Sequence, residues 1–197
     1  MVYPNQLTII RIILTPVFLI LFLSENPLFK QISLIVFIIA ALTDWYDGWL
    51  ARKFNYITNW GKFLDPLADK VLTSTAFFAF AFLGILEMWM VIIIVVRDLA
   101  ITGLRAYADY KGDGMSTSLI AKGKTFIQMV FIYYLLLIYT LMTVPVVYEG
   151  REKLFSILTD SKLIYFSMLF VTIITFYTGI TYIYANRHLI RKMFGKN

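Results

Sequence analysis

Four aspartates lie in a short polar stretch between two apolar segments of this chain, at Asp44, Asp47, Asp65 and Asp69. The first two are three residues apart and the last two are four residues apart, so each pair would share one face of a helix. Carboxylates at membrane depth are costly and by default mark a functional site. Four close together repel one another unless a cation neutralises them. An all-oxygen set of this kind suits hard divalent ions, so we predict a site for Mg²⁺ or Mn²⁺.

The composition restricts the class of protein and the chemistry available to it. The 197 residues are 60% hydrophobic and 17% aromatic, and the mean hydropathy is +0.76. These values indicate an integral membrane protein, which we expect to form a single domain over residues 1–197. The chain has no cysteine and one histidine, His188 near the C-terminus. Catalysis would therefore depend on carboxylates, lysine, arginine, tyrosine or hydroxyl side chains, with or without metal.

The net charge of +6 at pH 7 has two explanations that the sequence leaves open. It suits anionic lipid headgroups, and an excess of basic residues in cytoplasmic loops would produce the same value. The basic residues are dispersed among apolar segments rather than clustered in one patch. We therefore predict a lipid bilayer as the environment and no nucleic-acid partner.

Six apolar segments are predicted to position the aspartates. They cover residues 5–23, 31–53, 61–86, 88–110, 122–147 and 163–184. Turns or loops are expected at 24–30, 54–60 and 111–118, and the polar connection at 148–162 is expected to hold a short interfacial helix near 154–158. We predict an all-α fold, a bundle of six transmembrane helices.

The distribution of charge along these segments predicts a cavity on one side of the membrane. Most basic residues fall on one side if the N-terminus is inside, so both termini are predicted to be cytoplasmic. Segments two to five each have an apolar half and a charged half, and every charged half then lies at the cytoplasmic end. Charged halves satisfy one another by facing inward around a shared polar cavity. This cavity would hold the aspartates beside cationic side chains, an arrangement suited to binding phosphates with divalent ions.

Residues 44–69 contain the pattern D-x2-D-G-x2-A-R-x8-G-x3-D-x3-D at every fixed position. The pattern resembles that of the CDP-alcohol phosphatidyltransferase family, integral membrane enzymes that displace CMP from a CDP-linked lipid. Eight fixed positions at fixed spacings are far more specific than a lone short motif. Residues 4–11, 61–70 and 122–128 also look like those of bacterial phosphatidylglycerophosphate synthases. The resemblance covers most of the chain up to about residue 129.

The resemblance implies transfer of a phosphatidyl group from CDP-diacylglycerol to sn-glycerol 3-phosphate. It implies that two Mg²⁺ or Mn²⁺ ions are held by Asp44, Asp47, Asp65 and Asp69. It assigns Asp69 also as the general base that deprotonates the attacking hydroxyl. The segment that binds the CDP-lipid would comprise Asp44, Gly48, Ala51, Arg52 and Gly61. A homodimer in the bacterial cytoplasmic membrane, with its active site facing the cytoplasm, is implied as well.

The site for the acceptor's phosphate is predicted from charge placement rather than from the motif. The candidates are the cations near the cytoplasmic ends of the segments, namely Lys62, Arg97, Arg105, Lys122 and Lys124. For Arg97 and Arg105, snorkelling or pairing with Asp98 and Asp109 is an equally good interpretation.

Other functions also fit parts of the pattern. A divalent-cation transporter would place carboxylates in a bundle too, but it would typically show inverted repeats and a polar path across the whole membrane. Ion pairs that only hold helices together would not require eight matched positions. Within the resembling family, inositol phosphate, serine or phosphatidylglycerol are alternative acceptors. Serine has no phosphate and would not require so many cationic residues.

Overall fold

The computed structural model describes residues 4–54, 59–110 and 119–193, and every regular element in these ranges is helical. Six of the helices are long: α1 (Pro4–Leu23), α2 (Pro27–Phe54), α3 (Asn59–Phe82), α4 (Met88–Tyr110), α5 (Leu119–Leu141) and α8 (Ser161–Ala185). Three are short: α6 (Pro145–Tyr148), α7 (Glu152–Leu158) and α9 (Arg187–Met193). The all-α prediction is confirmed, and each long helix overlaps one predicted segment. The short helix predicted near 154–158 is α7, whereas the loop predicted at 111–118 lies outside the described residues.

The predicted start of α2 at residue 31 was wrong, because the helix begins at Pro27. A proline fits the first turn of a helix, where its missing N–H has no partner to lose. The side chain of Asn26 accepts a hydrogen bond of 2.9 Å from the backbone N–H of Leu28. This contact satisfies one of the free donors of the first turn, so the turn between α1 and α2 is shorter than the polar residues suggested.

Two predicted helix ends were also too late in the sequence. Helix α3 ends at Phe82 rather than 86, because Gly84 takes a left-handed conformation with φ of 71°. The N–H of Ile85 then bonds back to the carbonyl of Phe80 at 3.0 Å, which closes the helix end. Helix α5 ends at Leu141 rather than 147. Pro145 disfavours helical backbone at the preceding residue, and Val144 is extended, with φ of −101° and ψ of 106°.

The core lies between the apolar parts of the long helices. Phenylalanine rings join three of them: Phe18 of α1 lies 5.1 Å from Phe37 of α2, and Phe22 lies 5.0 Å from Phe80 of α3, measured between ring centroids. Helix α4 packs against α3 and α8, and α5 packs against α8. These contacts bring the polar parts of α3, α4, α5 and α8 together beside the core.

Large apolar side chains also cover much of the outer surface. Ile20, Phe126 and Phe166 are 72%, 71% and 64% exposed. An exposed apolar surface of this extent is typical of a chain in contact with lipid. Within the described residues, Gly123–Leu141 and Glu152–Ala185 are long and apolar enough to cross a membrane. The fold is therefore consistent with a membrane protein.

Candidate active site

Helices α2 and α3 carry the four aspartates predicted to bind metal. Asp44 and Asp47 lie in α2, Asp65 and Asp69 lie in α3, and the two helices pack against each other. The helical backbone confirms that each pair is separated by about one turn. The side chains of Asp44, Asp47 and Asp65 lie outside the described part of the structure. That the four carboxylates meet therefore remains a prediction.

Several other predicted site residues lie in helices whose backbone is described, while their surroundings are outside the described part of the structure. They are Gly48, Ala51, Arg52, Gly61, Lys62 and Lys122. Their predicted contacts with the CDP-lipid and with the acceptor's phosphate stay predictions. Asp69, Arg97, Arg105 and Lys124 are described in full.

The carboxylate of Asp69 lies at the edge of the bundle interior. Its side chain is 27% exposed, and its Oδ2 atom lies 3.6 Å from Nζ of Lys70. The neighbouring residue Ala68 is buried, so this turn of α3 is packed on one side and open on the other. An exposed edge next to a cation would let a substrate reach the carboxylate without unfolding the helix.

Asp98 of α4 lies at the centre of a buried cluster of charges. Its side chain is 2% exposed. Its Oδ1 atom accepts a hydrogen bond from Nζ of Lys124 in α5 and lies 3.1 Å from Nη1 of Arg97. Its Oδ2 atom lies 3.6 Å from Nζ of Lys70 in α3. A carboxylate this deeply buried requires such partners, so we attribute the close approach of the three cations to Asp98.

Lys70 joins this cluster to the predicted general base. Its ammonium lies 3.6 Å from Asp69 and 3.6 Å from Asp98. A continuous series of charges therefore runs from Asp69 through Lys70 and Asp98 to Lys124 and Arg97. The structure brings two predicted acceptor-site cations, Lys124 and Arg97, into the same cluster as a residue next to Asp69. The interpretation that Arg97 pairs with Asp98 is also confirmed.

Arg105 lies about two turns beyond Arg97 on the same helix and has a different environment. Its guanidinium carbon lies 5.8 Å from the centroid of the Tyr182 ring in α8. The Nε atoms of Arg97 and Arg105 are both buried and have no hydrogen-bond partner within the described residues. Buried N–H donors are rarely left unpaired in a protein, so both arginines have capacity to bind a further acceptor group.

Sequence reasoning missed three residues of this cluster. Asp98 was weighed only as a possible ion-pair partner of an arginine, and neither Lys70 of α3 nor Thr178 of α8 was assigned to the site. Thr178 accepts a hydrogen bond of 3.1 Å from Nη2 of Arg97. The signal for Asp98 was a carboxylate inside a largely apolar segment, which is costly unless it is paired. The signal for Thr178 was weak, because threonine recurs at every third position from 172 to 181 in α8.

The fold and the site together define an all-helical protein with an apolar outer surface and a buried charge cluster suited to phosphate groups. This chain belongs to the CDP-alcohol phosphatidyltransferase family, whose profile matches residues 1–173. The earlier resemblance to this family is thereby confirmed, as is the class of enzyme, a transferase.

Several curated relatives carry the name CDP-diacylglycerol–glycerol-3-phosphate 3-phosphatidyltransferase. The protein from Bacillus subtilis (strain 168) is 40% identical over 146 residues, which cover 68% of this chain and 76% of the relative. The protein from Wigglesworthia glossinidia brevipalpis is 41% identical over 142 residues, covering 68% and 75% respectively. The protein from Rickettsia bellii (strain RML369-C) is 36% identical over 126 residues, covering 64% and 70%.

Proposed function

We propose that this protein transfers the phosphatidyl group from CDP-diacylglycerol to sn-glycerol 3-phosphate, producing phosphatidylglycerol phosphate and CMP. The observation that carries the proposal is the identity of 40% over 146 residues with a relative named for this reaction. The charge cluster that connects Asp69 with Arg97 and Lys124 supports it, because an acceptor with a phosphate group requires cations near the base.

The four aspartates fit the divalent ions that we propose as cofactors. Helical backbone at Asp44, Asp47, Asp65 and Asp69 separates the members of each pair by about one turn. The set offers oxygen donors alone, which hard ions such as Mg²⁺ and Mn²⁺ prefer. These aspartates would hold the ions, and the bound ions would supply positive charge at the diphosphate.

The CDP-lipid is proposed to bind along α2 and the start of α3. Small residues let a nucleotide and its diphosphate approach a helix backbone closely, and α2 has two of them one turn apart, Gly48 and Ala51. Arg52 would pair with a phosphate oxygen, while Asp44 and Gly61 complete the segment.

Asp69 is proposed to act on the acceptor. It accepts the proton of the attacking glycerol hydroxyl, whose oxygen forms a new bond to the phosphorus on the lipid side of the diphosphate. The bond from that phosphorus to the oxygen of CMP breaks, and CMP leaves with the electron pair. We propose direct attack rather than a covalent enzyme intermediate. General-base assistance of this kind contributes roughly a hundred- to ten-thousandfold to a rate.

The cations beyond Asp69 are proposed to hold the acceptor's phosphate. Lys70, Arg97 and Lys124 lie around the carboxylate of Asp98, and Lys70 also contacts Asp69, so the described cluster has three cations for two carboxylates. Arg97 and Arg105 each have a buried Nε donor without a partner within the described residues. Lys62 and Lys122 would add to this positive field from α3 and α5.

The proposed setting is the bacterial cytoplasmic membrane. We propose that the six long helices all span it as one domain over residues 1–197, with both termini and the active site on the cytoplasmic side. Gly123–Leu141 and Glu152–Ala185 are long and apolar enough to cross a membrane, which supports this arrangement. A homodimer is proposed from family membership alone.

The test is an acceptor panel with the purified full-length protein in detergent. CDP-diacylglycerol is supplied with glycerol 3-phosphate, inositol phosphate, serine or phosphatidylglycerol, and release of CMP is followed. We expect CMP release with glycerol 3-phosphate, and its loss in the Asp69→Asn control. Preferential release with another acceptor would replace the proposed substrate. No release with any of the four would contradict the proposed reaction.

A further inference from the structure

Helix α8 provides three contacts to the two arginines of α4. Thr178 accepts a hydrogen bond of 3.1 Å from Nη2 of Arg97. A Cβ atom placed on Gly179 would lie 2.9 Å from Cγ of Arg97, a distance that side chains do not tolerate. One turn further along α8, the ring of Tyr182 lies 5.8 Å from the guanidinium carbon of Arg105, within range of a cation–π interaction.

The hydroxyl of Thr178 is oriented to serve as an acceptor. It donates its hydrogen within α8, to the carbonyl of Ile174 at 2.8 Å or of Thr175 at 3.0 Å. A lone pair of Oγ1 therefore remains for Arg97. Thr178 is also buried, at 2% exposure, so water does not compete for this contact.

Arg97 is consequently fixed from two sides. Its Nη1 atom contacts Asp98 at 3.1 Å and its Nη2 atom contacts Thr178 at the same distance. Its Cγ and Nε atoms lie where a side chain at position 179 would be, 2.9 Å and 3.3 Å from the position of a Cβ atom on Gly179. An arginine held at both terminal nitrogens has a defined guanidinium plane, so the directions of its remaining N–H groups are fixed as well. They include the buried Nε–H, which has no hydrogen-bond partner in the described part of the chain.

We propose that Thr178 and Gly179 of α8 are positioning residues, which fix the guanidinium group of Arg97 in the orientation that binds the phosphate of the acceptor. This inference rests on the proposed function, in which Arg97 binds that phosphate. Both residues lie beyond position 173, where the match to the family profile ends. A role for α8 in acceptor binding therefore does not come from the family motif, and it gives this apolar helix a function besides packing.

The test compares two buried threonines of α8. Thr172, like Thr178, is buried and donates to its own helix, at 2.8 Å from the carbonyl of Met168. We expect Thr178→Val to raise the KM for glycerol 3-phosphate roughly three- to tenfold, the effect of losing one hydrogen bond. The kcat and the KM for CDP-diacylglycerol should stay within about twofold. Thr178→Ser, which retains the acceptor oxygen, should restore the wild-type KM, and Thr172→Val should not change it.

A double-mutant cycle decides whether Thr178 acts through Arg97. In the Arg97→Ala background, Thr178→Val should cause no further rise in the acceptor KM. Gly179→Ala is a second probe, because it displaces the stem of Arg97 while retaining every hydrogen-bonding group, and it should also raise this KM. CMP binding by calorimetry and thermal unfolding in detergent identify any variant that has failed to fold.

The outcomes separate this inference from the proposed function. No CMP release by the wild-type protein with glycerol 3-phosphate would overturn the proposed function, and this inference with it. With an active wild-type protein, equal acceptor KM values for Thr178→Val and Thr172→Val would overturn the positioning role alone. Additive effects of Thr178→Val and Arg97→Ala on the KM for glycerol 3-phosphate would also overturn the positioning role. An unchanged KM for glycerol 3-phosphate in Arg97→Ala would overturn it as well.

Discussion

Lys124 in α5 donates a hydrogen bond from Nζ to Oδ1 of Asp98 in α4, and both side chains are almost completely buried. The same carboxylate lies 3.1 Å from Arg97 and 3.6 Å from Lys70. Three cations from three helices thus share one anion, and without it they would repel one another at close range. Asp98 is therefore important for stability as well as for the position of two predicted phosphate ligands.

Asp98→Asn should strongly destabilise the protein. The amide retains the shape of the side chain but removes the charge, so Arg97 and Lys124 lose the carboxylate that they contact, while Lys70 keeps its contact with Asp69. Breaking a buried pair in this way typically costs about 3–5 kcal/mol of unfolding free energy. The measurement is denaturant or thermal unfolding in detergent. Asp109→Asn, at an exposed position of the same helix, is the matched control and should have little effect. Equal stability of the two variants would contradict the role assigned to Asp98.

The long helices of the fold were predictable because each has a long apolar run bounded by polar residues. The ends of the helices were less predictable. Hydropathy does not detect a residue with left-handed backbone conformation, or a proline, inside an apolar sequence. Gly84 ends α3 and Pro145 follows α5, and both lie in stretches that read as continuous helix. The start of α2 at Pro27 depends on a side-chain contact of Asn26, which hydropathy also does not detect.

The site was predictable where its residues are close in sequence. The pairing of Arg97 with Asp98 joins neighbours in the chain, so it was among the interpretations considered. The contacts of Asp98 with Lys124 and of Arg97 with Thr178 join residues 26 and 81 positions apart. Such contacts depend on which faces of the helices pack together. The spacing of residues along a single helix does not determine that packing.

Arg105→Ala should weaken binding of the acceptor. Arg105 has a buried Nε donor and lies over the ring of Tyr182, which would present the guanidinium toward the phosphate. A hydrogen bond to a charged group is worth about 1.5–3 kcal/mol, so the KM for glycerol 3-phosphate should rise about tenfold or more. The KM for CDP-diacylglycerol should change little. Lys153→Ala, which removes an exposed cation of α7, is the control. An unchanged acceptor KM would make Arg105 an ordinary helix-packing residue.

Removal of divalent ions should stop turnover. The prediction follows from the oxygen-only donor set and from the repulsion among four carboxylates without a counter-ion. After exhaustive treatment with EDTA and removal of the chelator, CMP release should be lost, and added Mg²⁺ or Mn²⁺ should restore it. Ca²⁺, which is larger and accepts other coordination geometries, is a useful comparison. Full turnover in metal-free buffer would exclude the predicted role of the aspartates.

The four aspartates should not be equivalent when each is changed to asparagine. Asp44 and Asp47 share α2 with Gly48 and Ala51, the proposed nucleotide segment, so their first role should be to hold metal and nucleotide together. Asp44→Asn and Asp47→Asn should therefore weaken CMP binding along with activity. Calorimetry with CMP and the bound ion, beside CMP release for each variant, measures both effects.

Asp69→Asn should separate binding from turnover. Asp69 lies one turn beyond Asp65 on α3, and its partly exposed carboxylate is next to Lys70 at 3.6 Å. An amide still offers an oxygen ligand but does not accept a proton at neutral pH, so CMP binding should largely persist. Turnover should fall by roughly a hundred- to ten-thousandfold through loss of the base, and a weakened metal contact would add to this loss. Near-normal turnover by Asp69→Asn would show that the base is another residue.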